Sequence, residues 1–298
     1  MTTFATGPVR VSVPATSANL GPGFDTLGLA LDLRDRLEAE VTQSGLVVEV
    51  DGVGSDEVPL DEGHLVVRAM RAAFDELGVQ PPGIRLSCVN VIPHARGLGS
   101  SSAAIVAGVW LARELVAGGR LLLGDEGLLD LAARIEGHPD NVAPALLGGF
   151  VIAGQDADGS FYAVPSEVDP RIGAVVYIPP EPVSTETARG LLPTEVSHAD
   201  AAANAGRAAL LVAALGGRPE ELWRATADRL HQDYRRPAMP ASLALLDALR
   251  ADGVPAIVSG AGPTVLAFTD TTDGLTARCP EGWTALRLGI DSRGAVAW

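Results

Sequence analysis

The stretch "VIPHARGLGSSSAAIVAGVWLA", Val91 to Ala112, decides how the rest of this chain is read. It leaves a strand-like segment, Gly83–Val89, crosses a loop from Pro93 to Gly99, and opens into an apolar run, Ser101–Leu115, of helical length. Gly97 and Gly99 let the backbone come close to another group, and Ser100, Ser101 and Ser102 follow at once. The first amides of a helix have no partner within it and carry the positive end of its dipole. Such a junction is either an anion cradle or a plain turn with a serine cap.

Charge narrows the choice. All 22 cationic residues are arginine, since the chain has no lysine, and 37 acidic residues bring the net charge to −15. A GxxxxGK[ST] phosphate loop, a protein-kinase lysine and a lysine Schiff base are therefore excluded. Any phosphate must be held by peptide amides, arginine or a metal. The acidic balance argues against nucleic-acid binding, which needs a basic surface. Cys88 and Cys279 form no metal or disulfide pattern and read as two reduced core thiols. With no leader-like start and no apolar run of about 18 residues, a cytoplasmic enzyme without a membrane segment is expected.

Working outward from the loop, strands are expected at Val9–Val13 (stopping at Pro14), Leu29–Leu33, Arg36–Val41 and Leu46–Val50, and a helix at His64–Leu77. After the loop come a helix at Gly127–Ile135 and a strand at Phe150–Ala153. The second half reads as strands at Gly173–Ile178, Val254–Ser259, Val265–Thr269 and Trp283–Leu288, with helices at Glu186–Leu191, Ala199–Leu215, Glu220–Leu230 and Ala241–Arg250. Without regular βα alternation the fold class is α+β. The polar "GQDADGS", Gly154–Ser160, divides the chain into domains 1–155 and 156–298.

The order Pro-x-x-x-Gly-Leu-Gly-Ser-Ser-Ser-Ala-Ala closely resembles the phosphate-binding signature of the GHMP kinases, the superfamily of galactokinase, homoserine kinase, mevalonate kinase and phosphomevalonate kinase. "VPATSANLGPGFDTLGLAL", Val13–Leu31, resembles its first motif and "SGAGPTVLAF", Ser259–Phe268, its third. The resemblance implies a two-domain fold, with an N-terminal ribosomal-protein-like domain and a C-terminal ferredoxin-like domain. It also implies ATP with Mg²⁺, and a homodimer. "PATSANLGPGFD" and "EGHPDNVAPALLGGF" (Glu136–Phe150) are similar to the forms carried by the homoserine-phosphorylating branch. That branch implies L-homoserine as acceptor, on the route to threonine. Another superfamily kinase, such as one acting on mevalonate, and a non-catalytic nucleotide-binding relative are the alternatives.

An amino acid bearing a hydroxyl needs partners for its ammonium, its carboxylate and its attacking oxygen. Asn19 and Asp25 are spaced to hold the ammonium, although an aspartate there also suits a turn. His138, Asp140 and Asn141 are either pocket residues or a helix cap. The resemblance implies that Asn19, Asp25, His138, Asn141, Thr185, Arg189, Arg235 and Gly260 line the acceptor pocket. Arg235 would take the carboxylate, with the neighbouring Arg236 as the alternative register; without the resemblance these arginines would read as solvated charges. Pro93, His94, Ala95, Arg96, Gly97, Leu98, Gly99, Ser100, Ser101, Ser102 and Ala103 would cradle the nucleotide phosphates. His64, where some relatives carry asparagine, would lie near the adenine or be a surface histidine. Ser101 and Glu136 would hold Mg²⁺. For the acceptor proton, Asp140 is a candidate base, and Asn141 can position the hydroxyl but not deprotonate it. Catalysis without a strong side-chain base is the favoured reading.

Overall fold

The computed structural model describes residues 4–269 and 274–298. Its first sheet contains β1 (Val9–Ala18), β2 (Leu27–Thr42), β3 (Gly45–Gly52), β4 (Gly83–Asn90), β5 (Phe150–Gln155) and β6 (Phe161–Ser166). A second, antiparallel sheet contains β7 (Gly173–Ile178), β8 (Ala256–Val258), β9 (Val265–Thr269) and β10 (Thr284–Leu288), in the order β10-β7-β9-β8. The chain then returns to the first sheet, where β11 (Val296–Ala297) pairs with β1 to give the order β11-β1-β2-β4-β3, with β5 on β2 and β6 on β5. Helices α1 (Leu65–Glu76), α2 (Ser100–Leu115), α3 (Gly119–Leu122), α4 (Asp125–Glu136) and α5 (Pro139–Leu147) belong to the first half. The second half carries α6 (Thr185–Gly190), α7 (His198–Leu215), α8 (Leu222–Ala225) and α9 (Pro240–Ala251). The fold is α+β, as the sequence implies.

Proline does not end β1. The strand runs on to Ala18 through an irregularity between Pro14 and Ala15, whose partners on β2 are Arg34 and Leu31. A bulge tolerates a residue that cannot donate to the ladder. The two segments expected at 29–33 and 36–41 are one strand for the same reason, since the bulge absorbs the break in alternation. The helix expected at 220–230 is only a 3₁₀ turn and the single turn of α8. Asp228 takes the amides of Leu230, His231 and Gln232, offering the backbone a local alternative to helix.

The boundary expected at 155/156 falls inside the β5–β6 hairpin, so the first sheet extends to Ser166. Polar, glycine-rich composition marks a hairpin turn as readily as a linker. Cys88 is buried and free, whereas Cys279 is only partly covered, against the expectation of two core thiols.

One apolar core runs from Val11, Leu29, Phe74 and Ile105 in the first half to Val176, Leu215 and Leu266 in the second. Strand alternation lets β7 serve two layers, with Ala174 and Val176 in that core and Val175 and Tyr177 in a smaller cluster with Leu243 and Val265. The loops that enter α2, α5 and α6 meet the β8–β9 turn around one cavity.

Candidate active site

The helix expected at 101–115 forms as α2, and its N-cap is Gly99, with φ +69°. A glycine supplies no side-chain cap, and the three serines are already helical. Their opening amides therefore stay free of intrahelical partners, and no acidic residue lies in the first turn to neutralise the dipole. Gly99 is needed for close approach as well as for its conformation, because a Cβ there would overlap the Thr16 hydroxyl beneath it. At Gly97 (φ +74°) a Cβ would run into the carbonyl of Ser259 across the seam between the two sheets.

Two serine hydroxyls turn away from capping and toward α4. Ser101 Oγ and Ser102 Oγ donate to the same oxygen of Glu136, at 2.6 and 2.9 Å. Two residues further on, the chain opens α5 with His138 at its N-cap position, yet the imidazole makes no cap bond. It pairs instead with Asp140, Nδ1 to Oδ1 at 2.7 Å. Burial works against the imidazolium, but the hydrogen bond and charge of Asp140, helped by Glu136, outweigh it and raise the pKa of His138. Asn141 accepts a hydrogen bond on Oδ1 from Thr16 Oγ1 at 2.8 Å.

The opposite wall comes from the loop after β1 and from the second half. Asn19 and Asp25 both have left-handed backbones (φ +66° and +54°), a rare state for non-glycine residues. Asn19 holds the loop in it by accepting the amide of Asp25 and donating to the carbonyl of Gly260, both at 2.9 Å. Asp25 is occupied by a two-pronged ion pair with Arg189, at 2.6 and 3.1 Å, rather than standing free for an ammonium.

Arg235, not Arg236, faces the site. Arg236 is only partly covered and is paired with Asp233 and Asp247. Arg235 is 1% exposed and donates through Nη1 to Gly260 O at 3.0 Å, with His231 Nδ1 also within 2.9 Å. Burial, together with the neighbouring Arg189 charge, lowers its pKa to about 10, so it remains a cation at neutral pH.

These groups surround one cavity of about 320 Å³. Asn19, Ala95, Gly97, Gly99, Ser100, Ser101, Glu136, His138, Asp140, Asn141, Thr185, Arg189, Arg235 and Gly260 line it, which brings residues expected in the acceptor pocket, the phosphate cradle and the metal pair to one place. Other residues of that reading lie elsewhere. The guanidinium of Arg96 is spent on the carbonyls of Pro179, Pro180 and His94. Leu98, Ser102 and Ala103 are fully buried, and Pro93 sits in a neighbouring cleft. His64 is not a surface histidine; it is 5% exposed and lines, with His94, a second cavity that shares Ser100 and Ser101 with the first. Sequence reasoning missed Thr16, Val183 and Ser184; Ala261 and Gly262 line the cavity beside Gly260, in the stretch 260–262 expected to close against the substrates. Thr16 stands within the quoted first motif, so a polar residue interrupting an apolar strand was the available signal.

Glu136 and Ser101 suit a hard divalent cation. Both offer oxygen, both face the cavity beside the free amides of α2, and the second carboxylate oxygen of Glu136 has no hydrogen bond among the described residues. Mg²⁺ fits such a sparse set, since it retains waters and phosphate oxygens as its remaining ligands.

Comparison with known proteins gives the family of the chain. The family description "GHMP kinases N terminal domain" matches residues 64–149, and "GHMP kinases C terminal" matches 208–278. The homoserine kinase of Streptomyces coelicolor is 58% identical over 295 residues, covering 98% of this chain and 95% of the relative. That of Mycolicibacterium vanbaalenii is 50% identical, covering 95% and 90%. The crystal structure of homoserine kinase from Cytophaga hutchinsonii superposes with a TM-score of 0.84 at 26% identity, over 98% of each chain. L. major mevalonate kinase, in complex with R-mevalonate, shares the fold alone, with a TM-score of 0.66 at 17% identity over 97% of each chain.

Proposed function

Because the chain belongs to the GHMP kinases, in the homoserine kinase family, we propose that its cavity transfers the γ-phosphoryl group of ATP to the hydroxyl of L-homoserine. The observation that carries this reading is the convergence of the unpartnered α2 amides, the Ser101–Glu136 pair and two arginines on one cavity, in a chain without lysine.

The triphosphate lies along the amides of Ser100 and Ser101, where dipole and unpaired N–H groups favour negative charge. Ser101 and Glu136 would hold Mg²⁺, which would supply charge neutralisation on the phosphate oxygens. The remaining catalytic work is alignment, as phosphoryl transfer requires. Arg235 takes the acceptor's carboxylate, and its partners Gly260 and His231 keep the guanidinium in place. The His138–Asp140 pair and the cavity edge of Asn19 face its ammonium. Asn141, with Oδ1 engaged by Thr16, presents its NH₂ group to the reacting oxygens. Asp140 Oδ1 is likewise engaged by His138, which disfavours it as a base. The acceptor oxygen bonds to the γ-phosphorus, the bond to the bridging oxygen breaks, ADP leaves, and the hydroxyl proton passes to the phosphoryl oxygens. The reading extends to a cytoplasmic location and a homodimer, both carried over from the sequence.

A coupled assay of ADP release with MgATP and a panel of alcohols tests this. Turnover of homoserine well above that of mevalonate, galactose and serine is expected; turnover of mevalonate without homoserine overturns the substrate assignment.

A further inference from the structure

Phe24, half-buried in the loop after β1, stands outside the residues that line the main cavity, yet two of those residues lie over its ring. The guanidinium carbon of Arg189 is 5.5 Å from the ring centre and that of Arg235 is 5.8 Å from it. Both fall within the range over which the negative face of an aromatic ring attracts a cation. The two arginines bring like charge to one small cavity, and they are not balanced alike. Arg189 is matched by its two-pronged pair with Asp25. Arg235 is in no ion pair among the described residues; its partners are the carbonyls of Gly260 and Ala188 and the imidazole of His231. A buried guanidinium without a carboxylate, next to a second cation, needs another source of negative potential.

His231 completes the support. It is fully buried, its Nε2 donates to Gly21 O at 2.7 Å, and its Nδ1 accepts from Arg235. Those two bonds define one neutral tautomer, and burial, which lowers the pKa of the imidazole, favours the same form. Its ring lies 5.3 Å from that of Phe24, tilted by 33°. The loop carrying Phe24 is fixed from the same side, since His231 takes the carbonyl of Gly21 and Asn204 donates to that of Pro22 at 2.7 Å. The half that supplies both arginines therefore also holds the ring against them.

Resting on the reading of this cavity as the site of an acceptor that bears a carboxylate, we infer that Phe24 is a positioning residue, whose ring holds the guanidinium groups of Arg189 and Arg235 together in place for that carboxylate. A leucine would fill similar space, but only an aromatic ring adds an attraction for both cations. Phe24 in this way favours acceptors with a carboxylate without touching the acceptor itself.

Steady-state kinetics with L-homoserine and MgATP on Phe24→Leu and Phe24→Tyr test this. Leucine keeps the apolar bulk and is expected to raise KM for homoserine roughly tenfold, with kcat and KM for MgATP within about threefold of wild type. Tyrosine keeps the ring and is expected to stay within about threefold of wild type in all three constants. An unchanged KM for homoserine in Phe24→Leu overturns the inference. So does a parallel deterioration of kcat and both KM values, which a loop that merely packs less well would give, and so does a Phe24→Tyr variant no better than Phe24→Leu. Should Phe24→Leu fail to fold, site-specific replacement of Phe24 by mono-, di- and trifluorophenylalanine decides the matter, because fluorine weakens the negative face of the ring while nearly keeping its shape. A stepwise rise in KM for homoserine along that series upholds the inference, and a flat series overturns it. A wild-type chain that does not turn over homoserine overturns the substrate reading and this inference together, whereas a wild type that turns it over beside unchanged variants overturns this inference alone.

Discussion

Thr16 shows how much a single buried hydroxyl contributes here. It is fully enclosed, lies directly beneath Gly99, and its bond to Asn141 spans 125 residues of chain. By occupying Oδ1 it fixes which end of the Asn141 amide meets the cavity. Thr16→Val keeps the shape and removes the donor, at a cost of about 1 kcal/mol for one hydrogen bond. We expect kcat for homoserine to fall roughly three- to tenfold with KM little changed, and Thr16→Ser to recover most of it. Steady-state kinetics on both variants check this; a kcat equal to wild type in Thr16→Val would show that Thr16 does not position Asn141. Arg235 makes a related point. Two adjacent arginines are equivalent as letters, and only the turn of the 3₁₀ segment Asp233–Ala238 buries one and leaves the other only partly covered.

At the scale of elements, α2 connects the chemistry to the core. Its first turn carries the amides proposed to hold phosphate, and its middle packs on α1 through Gly108. A Cβ at Gly108 would come within 2.5 Å of the Val66 carbonyl oxygen and 2.7 Å of Ala69 Cβ. Alanine is the better helix former by about 1 kcal/mol, but overpacking costs about 1–3 kcal/mol in a tight core. Gly108→Ala is therefore expected to lower stability by up to about 2 kcal/mol, read as a lower urea midpoint at constant slope. Stability at or above wild type would contradict the close approach of the two helices. The limits of α2 were legible to within one residue, because an apolar run after two glycines has few other solutions. Those of α8 were not, since the carboxylate of Asp228 captures the amides that would have continued the helix.

For the molecule as a whole, the site is a seam. The β8–β9 turn is tied to the first half by Ser259 Oγ, which bonds Gly97 O at 2.6 Å and Ser17 Oγ at 2.8 Å, and by Gly260 N, which donates to Ala18 O at 3.1 Å. Beneath these bonds one apolar core joins the two sheets. Chains of this length often unfold in stages. Here the continuous core leads us to expect a single transition. Variants retaining only Trp110, buried in α2, or only Trp223, in α8, should report the same urea midpoint by fluorescence, coincident with far-ultraviolet circular dichroism. Separated midpoints would show that the halves unfold independently.

By itself the sequence determined the chemistry available to this chain. Without lysine, any phosphate falls to amides, arginine or a metal, and the glycines and serines of residues 97–102 place such amides at a helix start. These are properties of neighbouring residues, set by backbone preference and charge, and so are readable locally. Tertiary structure alone decided that Thr16 meets Asn141, that Asp25 is spent on Arg189, that the turn at 154–160 closes a hairpin, and that β11 returns to β1. Each of those depends on packing between segments far apart in the chain, and no local preference encodes which distant partner a side chain will find.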